Sequence, residues 1–248
     1  MSPKQILLLV LTAVAIVVEI IFTPLFLKAQ RPGVSTKSRF YKMVCATMFV
    51  CVGVLAVLFS GNHSDYALFM MIGLVFSWFG DLFLHIEGKK PFMVGFLSFT
   101  TAHVFYLIAY YHATKQYFPG RRFITWVEVL IFVVLEVSLL LFYTKVKKMS
   151  IKSVGIKLGI VYGFVLLPMM IKAAAFSLDF IRSGAPNAFL AGFLLTFGAF
   201  CFVLSDTSLL LTMFNPPDRK NIRLKNHNIA TYFAAQTLLA LTIHFIGL

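Results

Sequence analysis

Two aspartates stand inside long apolar runs. Asp81 lies in Phe76-Ser77-Trp78-Phe79-Gly80-Asp81-Leu82-Phe83-Leu84, and Asp206 in Phe202-Val203-Leu204-Ser205-Asp206-Thr207-Ser208-Leu209. A carboxyl in hydrocarbon costs about 2.5–3.5 kcal/mol even on lenient insertion scales, so such a group is rarely kept without a use. Each follows a small residue and precedes a leucine three positions on, in a chain with only nine Asp and Glu. Two carboxyls in a dry site divide protons unequally, which suits general acid–base work or the coupling of an ion to transport.

Polar residues recur around them at helical spacing. Ser77, Asp81 and His85 are four apart on one face; Phe99, His103, Tyr106 and Tyr110 form a second stripe, and Asn228, Tyr232 and Gln236 a third. Lipid cannot satisfy their hydrogen bonds, so the stripes point inward. There they either line one cavity with Asp206 or hold helices together. Glu19 and Glu136 fall at a similar depth and fit either reading. Asp81, His85, His103 and Asp206 are ordinary zinc-ligand types, but they are spread over three apolar segments, so spacing cannot test a metal site. The chain has no Gly-x-Ser-x-Gly elbow, phosphate-cradling glycine loop or His-Glu-x-x-His. Cys45, Cys51 and Cys201 show no ligand or disulfide spacing and read as packing residues.

The elements that position these residues must be membrane helices. The chain is 60% hydrophobic and 12% charged, too few charges to coat a soluble domain. Runs of about 20 apolar residues predict eight spans at 5–27, 41–60, 66–86, 91–112, 123–144, 154–176, 187–213 and 228–247. The fold class is therefore an all-α bundle of eight transmembrane helices in one polytopic domain. The first run reads as a span, not a cleaved leader, because its small-x-small triplet Ala13-Val14-Ala15 lies mid-run. Breaks fall at Arg31-Pro32-Gly33, Gly61-Asn62, Gly88-Lys89-Lys90-Pro91, Pro119-Gly120 and Asn215-Pro216-Pro217. Lys172 and Glu128, near outer span ends, are placed to snorkel.

The net charge of +13 sits in clusters between spans, which suits lipid headgroups better than nucleic acid. Segments 28–42, 89–90, 145–157 and 219–225 hold sixteen Lys and Arg, against five or six on the other side. Positive charge marks the cytoplasmic face, so both termini are expected outside the cytoplasm. The membrane is the plasma membrane or, in a eukaryote, the endoplasmic reticulum. Asp81 and Asp206 then lie in the cytoplasmic halves of their spans.

The stretch Gly73-Leu74-Val75-Phe76-Ser77-Trp78-Phe79-Gly80-Asp81-Leu82-Phe83-Leu84 resembles the first signature of the YhhN-type transmembrane lysoplasmalogenases. Phe92, Gly95, Phe99, His103 and Tyr106 follow with that family's spacing. Phe202-Val203-Leu204-Ser205-Asp206 resembles its second signature, and Tyr232 with Gln236 its closing one. The resemblance spans roughly residues 40–247. It implies an eight-span hydrolase that cleaves the vinyl ether bond of lysoplasmalogens to a fatty aldehyde and a glycerophospho-headgroup, with no organic cofactor. Its partners would be the lysophospholipid substrate and membrane lipids. Asp81 and Asp206 would be the catalytic pair, sharing one proton as acid and as base or cation stabiliser. Ser77, His85, His103, Tyr106, Ser205, Tyr232 and Gln236 would bind substrate or orient water. A proton-coupled transporter using the same two aspartates, and a metal-assisted hydrolase of another lipid, are the rival expectations.

Overall fold

The structure, a computed structural model, describes residues 2–31 and 33–247. Pro32, part of the first expected break, lies outside the described residues. Every regular element among the described residues is helical: α1 (Pro3–Gln30), α2 (Thr36–Ser60), α3 (Asp65–Leu84), α4 (Lys89–Tyr117), α5 (Trp126–Leu141), α6 (Val154–Arg182), α7 (Ala188–Phe214) and α8 (Ile222–Thr242). A π turn, Phe142–Val146, prolongs α5, and a 3₁₀ turn, Pro216–Asp218, leads towards α8.

Local chemistry sets where helices begin. Ser2, Ser35 and Thr125 form reciprocal capping boxes with Gln5, Ser38 and Glu128. Ser64, Ser153 and Asn221 each accept a backbone N–H from three residues on. Each such cap satisfies a donor that the first turn would otherwise leave unpaired. α2 ends at Gly61, whose φ of 64° is left-handed and suits glycine.

Helices α1 to α7, α5 together with its π turn as Trp126–Val146, are long and apolar enough to cross a membrane, which makes the chain an integral membrane protein. α8 falls outside that set. It begins at Ile222, not near 228, because Asn221 caps a polar start carrying Arg223, Lys225, Asn226, His227 and Asn228. α8 packs against α7, α2, α1 and α3, so its buried Asn228, Tyr232, Gln236 and Thr237 meet protein. A helix sheltered in this way needs no apolar coat. α5 is its opposite: it packs chiefly on α6 and buries none of its residues.

The closest helix pairs are α3–α4, α7–α8, α1–α2 and α6–α7. A Cβ added at Gly73 would lie 2.3 Å from the Tyr106 ring, and one at Gly159 would lie 2.6 Å from Leu210 Cδ1. Small residues thus let α3 approach α4, and α6 approach α7, closely enough for their polar side chains to meet. Short connections make successive helices antiparallel, so the four basic connections gather at one end of the bundle. There Lys147 of the fifth connection pairs with Asp218 of the seventh at 3.2 Å. At the other end Lys172 does not snorkel. It is buried, pairs with Glu128 at 2.9 Å, donates to the Phe123 carbonyl and lies 4.3 Å from the Phe123 ring centroid. Partners inside the protein remove its reason to reach for the interface.

Candidate functional site

Asp81 sits one turn before the basic end of α3, with its side chain 2% exposed. Lys42 Nζ of α2 lies 3.0 Å from Asp81 Oδ1 and also donates to the Asp81 carbonyl at 3.2 Å. The Tyr232 hydroxyl of α8 donates to Asp81 Oδ2 at 2.7 Å. Gln236 Nε2 donates to the Tyr232 oxygen at 3.2 Å, and the Tyr106 hydroxyl donates to Gln236 Oε1 at 2.9 Å. Ser77 Oγ closes the chain 3.4 Å from the Tyr106 hydroxyl. A buried ion pair persists only with good geometry and its remaining valences filled, and this one has both. Lys42, counted among the basic flanks on sequence grounds, is instead the counter-ion of Asp81.

Asp206 belongs to a different cluster. The Tyr162 hydroxyl of α6 donates to Asp206 Oδ2 at 2.7 Å, and His103 Nε2 of α4 lies 2.7 Å from that hydroxyl and 3.6 Å from Oδ2. Because Tyr162 gives its proton to the carboxyl, the network assigns a proton to His103 Nε2. His103 Nδ1 is buried with no hydrogen-bond partner among the described residues. Among the described residues every bond to Asp206 goes to Oδ2, which leaves Oδ1 open.

The Asp206 side chain is 12% exposed because it lines two cavities. One, of about 60 Å³, is apolar and lies between α4, α6 and α7, with Phe92, Phe96, Phe99, Leu209 and Phe214 among its walls. Asp206 and Tyr162 are its polar residues. The other, of about 40 Å³, lies between α5, α6 and α7 and holds Glu136, Tyr143 and Thr207 beside the same Asp206 and Tyr162. Both sit at the basic end of the bundle.

No hydrogen bond joins the two aspartates. Phe202 stands between their clusters, its ring centroid 4.6 Å from His103 and 5.6 Å from Tyr232. Phe99 links the apolar cavity to Tyr232 at 5.7 Å. The direct carboxyl pair expected from the sequence is therefore two carboxyls, each with its own tyrosine hydroxyl. Ser77, Tyr106, Tyr232 and Gln236 gather at Asp81, and His103 at Asp206. His85 points elsewhere, 2.9 Å from Ser38 Oγ and edge-on to Phe26. Ser205 donates to Asn228 at 3.5 Å. Asp81, His85, His103 and Asp206 do not form one ligand set, and no three His, Cys, Asp or Glu among the described residues are grouped to hold a metal.

Sequence reasoning missed Lys42 as a site residue and Tyr162 altogether. A signal for Tyr162 was present: Gly155, Gly159 and Gly163 recur every four residues on α6, the mark of a helix face built for close approach. Glu19, ambiguous in sequence, is buried with the Thr237 hydroxyl 2.8 Å from both its oxygens.

No curated protein and no solved structure matches the chain. The model of the YhhN family matches residues 34–243, from the foot of α2 through the whole of α8. That span takes in both aspartates, Lys42, both tyrosines that bond the carboxyls, and the two cavities. The chain belongs to the YhhN family.

Proposed function

We propose that this protein is a lysoplasmalogenase-type hydrolase, cleaving the vinyl ether bond of a lysophospholipid to a fatty aldehyde and a glycerophospho-headgroup. The observation that carries the reading is Asp206: a carboxyl with one open oxygen, steadied by Tyr162 and His103, in the wall of an apolar cavity. Family membership supports it.

An enol ether needs a proton on its β-carbon, and the cation that results is captured by water. Asp206 delivers that proton from Oδ1 to a chain lying along Phe92, Phe96 and Phe99. The π electrons form the new C–H bond, and positive charge develops on the ether carbon and oxygen. Water adds there, and the hemiacetal collapses to aldehyde and alcohol. His103 and Tyr162 hold Asp206 in line. Asp81, neutralised by Lys42, acts as a positioning residue: it fixes Tyr232, Gln236 and Tyr106 behind the Phe99–Phe202 wall. Lys89, Lys90, Lys157 and Lys220, in or beside the basic connections, supply positive charge at that end of the bundle for the phosphate.

In this reading α8 crosses the bilayer with the other seven helices, in one polytopic domain. The basic end faces the cytoplasm and both termini lie on the other side. The transporter alternative draws no support from the helices: α3 and α7 run unbroken through Asp81 and Asp206, whereas carriers coordinate ions at interrupted spans. The test compares purified protein on three lysolipids with the same headgroup, carrying alkenyl, alkyl or acyl chains. Aldehyde release from the alkenyl lipid alone is expected. Hydrolysis of the acyl lipid with no action on the alkenyl one overturns the assignment.

A further inference from the structure

The sequence expectation asked for two carboxyls at one reacting centre, and Asp81 does not serve as the second because Lys42 neutralises it. Another acid fits that place. Glu136 lies ten residues from either end of the α5 segment Trp126–Val146, about 15 Å of helix in each direction, too far for its side chain to reach an interface. It makes no hydrogen bond or ion pair among the described residues. A carboxyl left so in a lipid-facing helix is a functional candidate by default.

Its position is built. α5 buries none of its residues, yet the Glu136 carboxyl turns in towards α6, where Gly163 leaves it a berth. A Cβ at 163 would lie 2.3 Å from Glu136 Oε2 and 2.9 Å from Oε1. The carboxyl thereby enters the 40 Å³ cavity whose other polar walls are Asp206, Tyr162, Tyr143 and Thr207. A water needs roughly 10–15 Å³ and two to four polar partners, and this cavity offers both. No lysine or arginine lines it.

We propose that Glu136 is the second carboxyl of the catalytic site, binding the attacking water in this cavity. The inference rests on the vinyl ether reading above and completes its proton economy. Asp206 gives its proton to the β-carbon and becomes a carboxylate. That carboxylate takes a proton from the water held by Glu136 as the water oxygen bonds to the cationic carbon, forming the hemiacetal. The Glu136 carbonyl oxygen then accepts the hemiacetal hydroxyl proton as the C=O bond forms, and the Glu136 hydroxyl gives its proton to the departing glycerol oxygen as the C–O bond breaks. Both groups end as they began, and one water is consumed for each ether cleaved. Glu136 stays a neutral carboxyl, as an apolar site without a cation beside it requires.

The experiment measures aldehyde release by wild type, Glu136→Gln, Gly163→Ala and Asp206→Asn, with methanol added as a competing nucleophile. Methanol captures the cation as a mixed acetal, so the aldehyde-to-acetal ratio reports how water is positioned. Glu136→Gln is expected to lower kcat by about 10²-fold or more, to leave KM within about twofold, and to raise the acetal share. Gly163→Ala, which displaces the carboxyl without removing it, is expected to shift the ratio in the same direction by less. A purely structural role would lower thermal stability and leave the ratio alone. Wild-type kcat and ratio in both variants overturn the Glu136 assignment, and if Asp206→Asn is inert in the same assays the reading of Asp206 stands. A wild type that releases no aldehyde overturns both.

Discussion

Lys42 Nζ and Asp81 Oδ1 lie 3.0 Å apart between α2 and α3, both side chains all but closed to solvent. The same ammonium also bonds the Asp81 carbonyl at 3.2 Å, so one cation satisfies both a side chain and a backbone group near the end of α3. Breaking a buried pair by removing one partner costs about 3–5 kcal/mol, whereas replacing both with apolar residues of like size is often neutral. Lys42→Met should therefore lower detergent-phase stability by about that amount. Lys42→Met/Asp81→Leu should regain most of it, as read by denaturant titration. A double-variant loss equal to the sum of the Lys42→Met and Asp81→Leu losses would mean that the pair is not coupled.

Tyr162 links His103 to Asp206 with two bonds of 2.7 Å. Tyr162→Phe keeps the ring and removes that link. Its expected cost in stability is about 0.5–1.5 kcal/mol, the range for a hydrogen bond between neutral groups. Its expected effect on kcat is a fall of about 10–100-fold, since positioning and not the proton donor itself is lost. Unaltered kcat in a folded protein would remove Tyr162 from the site.

Met213 lines the apolar cavity. Met213→Trp should fill that space and raise KM for the alkenyl lipid by about tenfold, close to 1.4 kcal/mol of binding, with kcat little changed. A variant series against chain length reads the effect: longer chains should suffer most.

Asp218 lies outside the membrane helices, in the turn before α8. Burial pushes its carboxyl up, but the Asn215 amide and the Lys147 ammonium outweigh burial and hold it below the ordinary value of 3.8. A carboxyl depressed on folding contributes stability that is fully present above its unfolded value and is lost as pH falls through the folded one. The melting temperature should thus decline below about pH 4 partly through this group. Asp218→Asn should melt lower at neutral pH and show a shallower acid decline. The same acid slope in both proteins would contradict this.

The sequence made the helices and the two aspartates legible because hydrocarbon penalises polar groups so heavily that they stand out. It was less informative about what each polar group meets. Counting cations near span ends makes Lys42 a flank, because the count cannot see a carboxylate on the next helix, 39 residues away. Ser77 and His85 share a stripe, but eight residues of α-helix turn the side chain by about 80°. That is enough to send one to Tyr106 and the other to Ser38. Tyr162 and Glu136 became meaningful only through the α6 glycines, whose close approach is a property of helix pairs. Hydropathy puts the eighth apolar run at 228–247 whereas α8 spans Ile222–Thr242, since its polar start is stabilised by a cap and by neighbours, not by lipid.

The measurement that bears most directly on Asp206 as proton donor is turnover of the alkenyl lipid in D₂O, with the aldehyde trapped at once and weighed by mass spectrometry. Wild type should place one deuterium on the carbon next to the aldehyde carbon, and folded Asp206→Asn should yield no labelled product above the uncatalysed background. Labelled aldehyde from Asp206→Asn at the wild-type rate, or wild-type aldehyde without the label, would contradict the account.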